Sequence, residues 1–188
     1  MKKKTRANLC MIAVIAVIMI GGIVAACFLM DGNPISQLGS LFGGTKLENE
    51  TGENTCTITI VCDTVLENTD RLNQAKAPYV PADGIILAQT TVTFTPGESA
   101  FDVLQRSCQK GDIQLEYSWT PIYDSYYIEG INYRYEFDCG PESGWMYQVN
   151  SKFPNYGCSS YEVQNGDTIV WCYTCEGLGI DVGAERVD

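Results

Sequence analysis

Between Glu136 and Tyr161 the chain reads Glu-Phe-Asp-Cys-Gly-Pro-Glu-Ser-Gly-Trp-Met-Tyr-Gln-Val-Asn-Ser-Lys-Phe-Pro-Asn-Tyr-Gly-Cys-Ser-Ser-Tyr. Cys139 and Cys158 bracket a turn, a short apolar strand from Trp145 to Val149, a tight reversal at Asn150-Ser151 and a Pro/Asn/Gly loop. Ordering so much turn and loop costs conformational entropy, and the interleaved aromatic side chains need cover. The rest of the chain must close these loops and bury these rings.

The cysteines and the missing histidine narrow the chemistry. Seven cysteines follow residue 31 (Cys56, Cys62, Cys108, Cys139, Cys158, Cys172 and Cys175), and there is no histidine anywhere. Ser-His-Asp and Cys-His catalysis, and zinc held by histidine, are thereby excluded. In an oxidising compartment seven cysteines read as a disulfide framework with one thiol left over.

The amino end places the chain in such a compartment. Lys2, Lys3, Lys4 and Arg6 precede Ala7 to Met30, 24 residues without a charge. As a helix these rise about 36 Å, enough for a hydrocarbon core of about 30 Å. The basic cluster keeps the amino end cytoplasmic and puts residues 31 onward outside. Residues 1–30 are thus a membrane anchor or an export signal. Val24-Ala25-Ala26-Cys27 also reads as a lipoprotein box with Cys27 as the lipidated residue, although Phe28-Leu29-Met30 suit a continuous helix better. After the anchor, eight basic residues face 23 acidic ones, a net charge of −15. Such a surface stays soluble and repels phosphate backbones, so no nucleic-acid partner is expected.

Residues 31–54 read as a flexible stalk, with a glycosylation acceptor at Asn49, and residues 55–182 are long enough for one domain. Residues 183–188, and the Gly-rich stretch after Cys175 generally, read as a loose tail. Thr55 to Cys62 alternates strictly and predicts a strand with Cys56, Ile58, Ile60 and Cys62 on one face. Ile85–Ala88, Thr91–Phe94, Ile113–Tyr117 and Thr168–Tyr173 are further strands. One helix follows Ser99, capped by Ser99 with Asp102 and stopped at Gly111; Phe101, Leu104 and Cys108 form its apolar stripe. The region between Tyr117 and Glu136 reads as a long loop. One helix among five to seven short strands means an α+β domain, a small β-grasp-like mixed sheet packed on that helix.

Several segments together resemble a known family: Ile58–Leu66, Val80–Leu87, Gly97–Leu104, Tyr127–Ile131, Glu136–Gly140, Ser143–Asn150, Phe153–Cys158, Gly166-Asp167 and Trp171–Cys175. In this order they are similar to the bacterial surface domains called transcobalamin-like C-terminal domains, over about residues 55 to 182. Those domains are similar in turn to the smaller domain of the cobalamin carriers transcobalamin and intrinsic factor. The resemblance implies a β-grasp-related fold and a corrinoid such as cobalamin as ligand, with no intrinsic cofactor. The carriers' larger helical domain has no counterpart here. The resemblance also implies the bridges Cys139–Cys158 and Cys62–Cys175. Closing the loop between Cys139 and Cys158 contributes about 3 kcal/mol.

Between Tyr117 and Tyr156 lie 12 of the 20 aromatic residues. Tyr117, Phe137 and Trp171 are expected to pack against the helix. Tyr123, Tyr126, Tyr127, Trp145, Tyr147, Phe153 and Tyr156, with Asn150, form the candidate ligand-binding face, since Tyr and Trp offer flat apolar surfaces with a polar edge. No catalytic or metal residue is assigned. Cys172-Tyr-Thr-Cys175 has the spacing of a thiol oxidoreductase, but it ends a strand rather than opening a helix. Ser143 lacks a base, and the carboxylate pairs Asp124/Glu129 and Glu136/Asp138 read as solvated loop charges. The expected function is a non-catalytic, membrane-anchored extracytoplasmic module for a small-molecule ligand. The alternative is a surface domain that binds protein or polysaccharide.

Overall fold

The computed structural model describes residues 53–177 and 179–185. The expected membrane segment with Cys27, and the stalk up to residue 52, lie outside these residues. Seven strands, one long helix and short helical turns form a mixed α+β domain with two sheets.

The strand read from alternation is β1 (Thr55–Val61), and its buried residues alternate without a break. It sits inside a four-stranded sheet with β2 (Ile85–Thr93), β6 (Gly144–Val149) and β7 (Thr168–Thr174), in the order β2-β1-β7-β6. β1 and β7 run parallel, while β2 and β6 are antiparallel to their neighbours. The inner face carries Cys56, Ile58, Ile60, Ile169, Trp171 and Val149, all buried. The expected pair Ile85–Ala88 and Thr91–Phe94 is a single strand, β2. Register shifts opposite Ile58 and Ile60 account for the interrupted pattern that read as two.

Helix α2 (Ala100–Gly111; α1 is the single turn Thr64–Glu67) covers that face with Phe101, Val103, Leu104 and Cys108. Its capping box forms as expected. Ser99 Oγ accepts from Asp102 N at 3.2 Å, and Asp102 Oδ2 accepts from Ser99 N at 2.8 Å. The helix ends one residue later than read: Gly111 belongs to it and Asp112 takes the left-handed conformation, with φ 52°. Ser99→Ala is expected to cost about 1 kcal/mol, read as a lower urea midpoint at unchanged slope.

A second sheet, β3-β4-β5 (Leu115–Thr120, Ser125–Ile131 and Arg134–Tyr135), fills the stretch read as a long loop. Its inner face leans on α2: Phe101 packs edge-on to Tyr117 and stacks on Tyr126 at 4.8 and 4.3 Å between ring centroids. Phe137, expected to join them, does not. It has φ 66° and stays 63 % exposed, because the turn after β5 points its ring outward. The segment after Cys175 is held rather than loose. Asp181 accepts from Cys175 N at 2.7 Å and from Thr174 Oγ1, fixing a 3-10 turn at Ile180–Val182.

Candidate functional site

The β3–β4 hairpin and the loop before Cys158 enclose a pocket of about 250 Å³. Thr120, Tyr123, Ser125, Tyr126 and Tyr127 line it from the hairpin; Asn155, Tyr156 and Gly157 line it from the loop. Half of the lining residues are tyrosines, apolar on the ring faces and polar at the hydroxyls.

The two walls are locked by reciprocal bonds. Tyr126 N donates to Ser159 Oγ at 3.0 Å, and Ser159 N donates to Ser125 Oγ at 3.1 Å. The chains approach so closely that a Cβ on Gly157 would stand 2.2 Å from Ser125 Cβ and Oγ. Only glycine fits there without moving the wall.

Three of the four tyrosines are set before any ligand arrives; the Tyr123 ring stands in solvent at the hairpin tip. Tyr126 stacks on Phe101. Tyr127 donates its hydroxyl to Glu136 Oε2 at 2.6 Å. Burial and that carboxylate push the Tyr127 hydroxyl well above its ordinary pKa, so it remains a donor. Tyr156 lies parallel to Tyr161 at 6.2 Å, and its carbonyl accepts from Tyr147 OH at 2.8 Å. Tyr147 in turn stacks on Trp171 at 5.4 Å, so the pocket rim is anchored to the central strand.

Four of the eight residues singled out from the sequence therefore meet in the pocket: Tyr123, Tyr126, Tyr127 and Tyr156. Tyr147 supports it from behind. Trp145 lies elsewhere, buried in the core with its indole N–H on the Arg134 carbonyl at 2.8 Å. Asn150 shapes the reversal after β6: it bonds Asp167 Oδ1 and Thr168 N, and with Ser151 it has positive φ, as a two-residue hairpin requires. Phe153 is half-buried and does not line the pocket. Thr120, Ser125, Asn155 and Gly157 were not foreseen. Only Gly157 carried a signal, a glycine between two ring-bearing or cysteine neighbours in a turn.

A larger hollow of about 530 Å³ lies at the start of α2, lined by Gly97, Asp102 and Gln109 among others. It holds no aromatic ring, and its Arg106 and Glu98 pair with each other at 2.7 Å. Of the two hollows, only the tyrosine pocket has the aromatic lining with a few polar groups that small-molecule sites share.

The groups weighed for catalysis are engaged in structure. Ser143 Oγ accepts from Tyr173 OH and Cys139 N and donates to the Gly140 carbonyl. Asp138 accepts from Tyr135 N at 2.8 Å and faces Lys76. All seven cysteines are buried, and no bond joins Cys139 to Cys158 or Cys62 to Cys175 in this structure. Burial first, then Asp63 and Asp181, pushes the Cys172 thiol up to about 12, the reverse of what a redox motif needs. Among the described residues no three His, Cys, Asp or Glu side chains come together to hold a metal ion.

These thiols set a pH dependence. Burial also raises Cys62 to about 11 and Cys108 to about 12, from an ordinary 9. A raised thiol pKa favours the folded state fully below pH 9, and that contribution is lost as pH climbs through the folded value. The urea midpoint is expected to fall between pH 9 and pH 12, and to fall less in Cys108→Ala.

A family model described as a domain of unknown function (DUF4430) matches residues 97–175. That span runs from the turn before α2 to the end of β7 and includes the pocket. No curated protein matches the chain in sequence. Among solved structures, haptocorrin in complex with Cbi is similar at 14 % identity and TM-score 0.43, over 65 % of this chain and 25 % of that one. The chain thus corresponds to about a quarter of that protein. A candidate metal-binding protein from Ruminococcus gnavus is similar at 15 % identity and TM-score 0.40, over 66 % of this chain and 99 % of that one.

Proposed function

We propose that the chain is a non-catalytic, membrane-anchored binding module displayed outside the cytoplasmic membrane, and that its tyrosine pocket receives one edge of a planar, corrinoid-like ligand. The observation that carries this is the convergence of Tyr123, Tyr126, Tyr127 and Tyr156, from two separate segments, on one pocket in which the last three are held in place. Rings held by stacking and hydroxyls held by hydrogen bonds lose little freedom on binding. The basic amino end and the uncharged run to Met30 support the anchor, as a single-pass helix or through lipid on Cys27. The corrinoid class rests on the family resemblance of the sequence. A pocket of about 250 Å³ is too small to enclose such a ligand, which fits a site that supplies one face and leaves the other open.

The test uses a built-in reporter. Trp119 is half-exposed, and its ring lies 5.1 Å from that of Tyr126 at the pocket edge. Titration with cobinamide is expected to quench its fluorescence saturably at micromolar concentration, and Trp119→Phe should remove that component. No saturable change sinks the corrinoid assignment.

A second reading has its own observation. Ile122 is 83 % and Tyr123 72 % exposed at the hairpin tip. Neighbouring apolar side chains left in solvent suit a protein or polysaccharide partner. Retention of a surface glycan or protein by the purified domain, with no response to cobinamide, would favour it.

A further inference from the structure

The buried thiols take no part in the pocket, and two of them, Cys139 and Cys175, lie against the same helical turn. Cys139 and Cys175 are neighbours against α1, close enough for the Cys139 thiol to raise the Cys175 pKa. Hydrogen bonds on both sides fix this meeting. Cys139 lies in the turn after β5, with its sulfur 3.6 Å from the Asn68 carbonyl oxygen. Cys175 follows β7, with its sulfur 3.8 Å from Thr64 Oγ1. Thr64 and Asn68 are the two ends of the single turn α1, joined by Asn68 Nδ2 donating to Thr64 O at 2.9 Å. One helical turn therefore receives both sulfurs. From the other side, Ser143 Oγ accepts Cys139 N at 3.0 Å and Tyr173 OH at 3.0 Å, which ties the turn of Cys139 to the strand that leads to Cys175. Both cysteines are fully buried. Their expected partners are placed differently. Cys158 has its sulfur 3.4 Å from the Tyr126 carbonyl, behind the pocket. Cys62 lies at the end of β1, buried in the core.

We propose that Cys139 and Cys175 are joined by a disulfide, closing the 37-residue span that contains β6 and β7. The oxidant is a second disulfide, of a small molecule or of an exchange protein. One thiol gives up its proton, and the thiolate attacks a sulfur of that disulfide, releasing one of its halves as a thiolate. The other cysteine, deprotonated in turn, displaces the second half. The domain loses two electrons and two protons, and the oxidant becomes two thiols. Burial, and then contact with Cys139, holds the Cys175 thiol well above its ordinary pKa in the closed domain. Exchange therefore precedes the final closing of the fold, and reductants reach the bond only after opening. The inference does not rest on the ligand reading.

The full chain, folded in a mixture of oxidised and reduced glutathione with detergent, is digested without reduction and mapped by mass spectrometry. A Cys139–Cys175 linked peptide is expected. A Cys139–Cys158 or Cys62–Cys175 peptide, or complete alkylation of both Cys139 and Cys175 in denaturant, overturns the proposal. In a second measurement, reductant should lower the thermal midpoint of the wild type by about 10 °C but leave Cys139→Ser/Cys175→Ser nearly unmoved. The peptide map needs no variant, so it decides the matter even if the double variant does not fold.

Discussion

Replacing Gly84 with alanine is expected to destabilise the domain by about 3 kcal/mol or more. Gly84 has φ +72°, where any L side chain is strained. The larger effect is steric. A Cβ there would stand 2.4 Å from Asp63 Cα and 2.8 Å from Asp63 N. Both are backbone atoms, so no side-chain rotation relieves the overlap. The approach is close because Cys62 N donates to Gly84 O at 2.7 Å, the bond that closes the end of β1 against the turn before β2. Gly97→Ala is the control. Gly97 also has positive φ, 91°, but nothing lies within 4 Å of its missing Cβ. It should cost only about 1 kcal/mol, and the difference in urea midpoints isolates the clash.

Trp171→Ala should be comparably severe, about 4 kcal/mol. Trp171 lies on the central strand between Ile60 of β1 and Tyr147 of β6 and is 2 % exposed. Truncation leaves a cavity between three strands that cannot collapse without breaking their register. It also removes the ring on which Tyr147 stacks, and Tyr147 holds the Tyr156 carbonyl at the pocket rim. Core stability and pocket shape are thus coupled through one residue. Trp171→Phe should be much milder, under about 2 kcal/mol. Its indole N–H finds no hydrogen-bond partner among the described residues, so losing it strands no acceptor. Equal destabilisation by the two substitutions would contradict this view of the core.

How much of this was legible depends on the range of the interactions that decide each element. The β1 alternation, the Ser99–Asp102 cap and the Asn150-Ser151 reversal are local, and each forms where the residues indicated. β4 was not legible, because the register shift between Glu116 and Tyr117 disturbs the two-residue period that marks a paired strand. Residue type showed that the aromatics were too many for a small core, but not which ones were surplus. Trp145 is buried because the distant Arg134 carbonyl meets its N–H; Phe137 is exposed because its turn has a positive φ. The carbonyl lies 11 residues from Trp145, and nothing in the composition marks Phe137 for a left-handed turn. Ser125, Ser159 and Gly157, which lock the pocket walls, look like ordinary turn residues until the hairpin and loop are brought together.

Whether the tyrosine pocket binds the ligand is decided by calorimetric titration of cobinamide into wild type and into Tyr156→Ala. Tyr156 is half-exposed, so its truncation should barely move the urea midpoint. The pocket assignment predicts saturable binding to the wild type, weakened about tenfold or more by Tyr156→Ala at unchanged stability. Saturable binding of equal strength to both proteins would place the ligand elsewhere on the domain and contradict it.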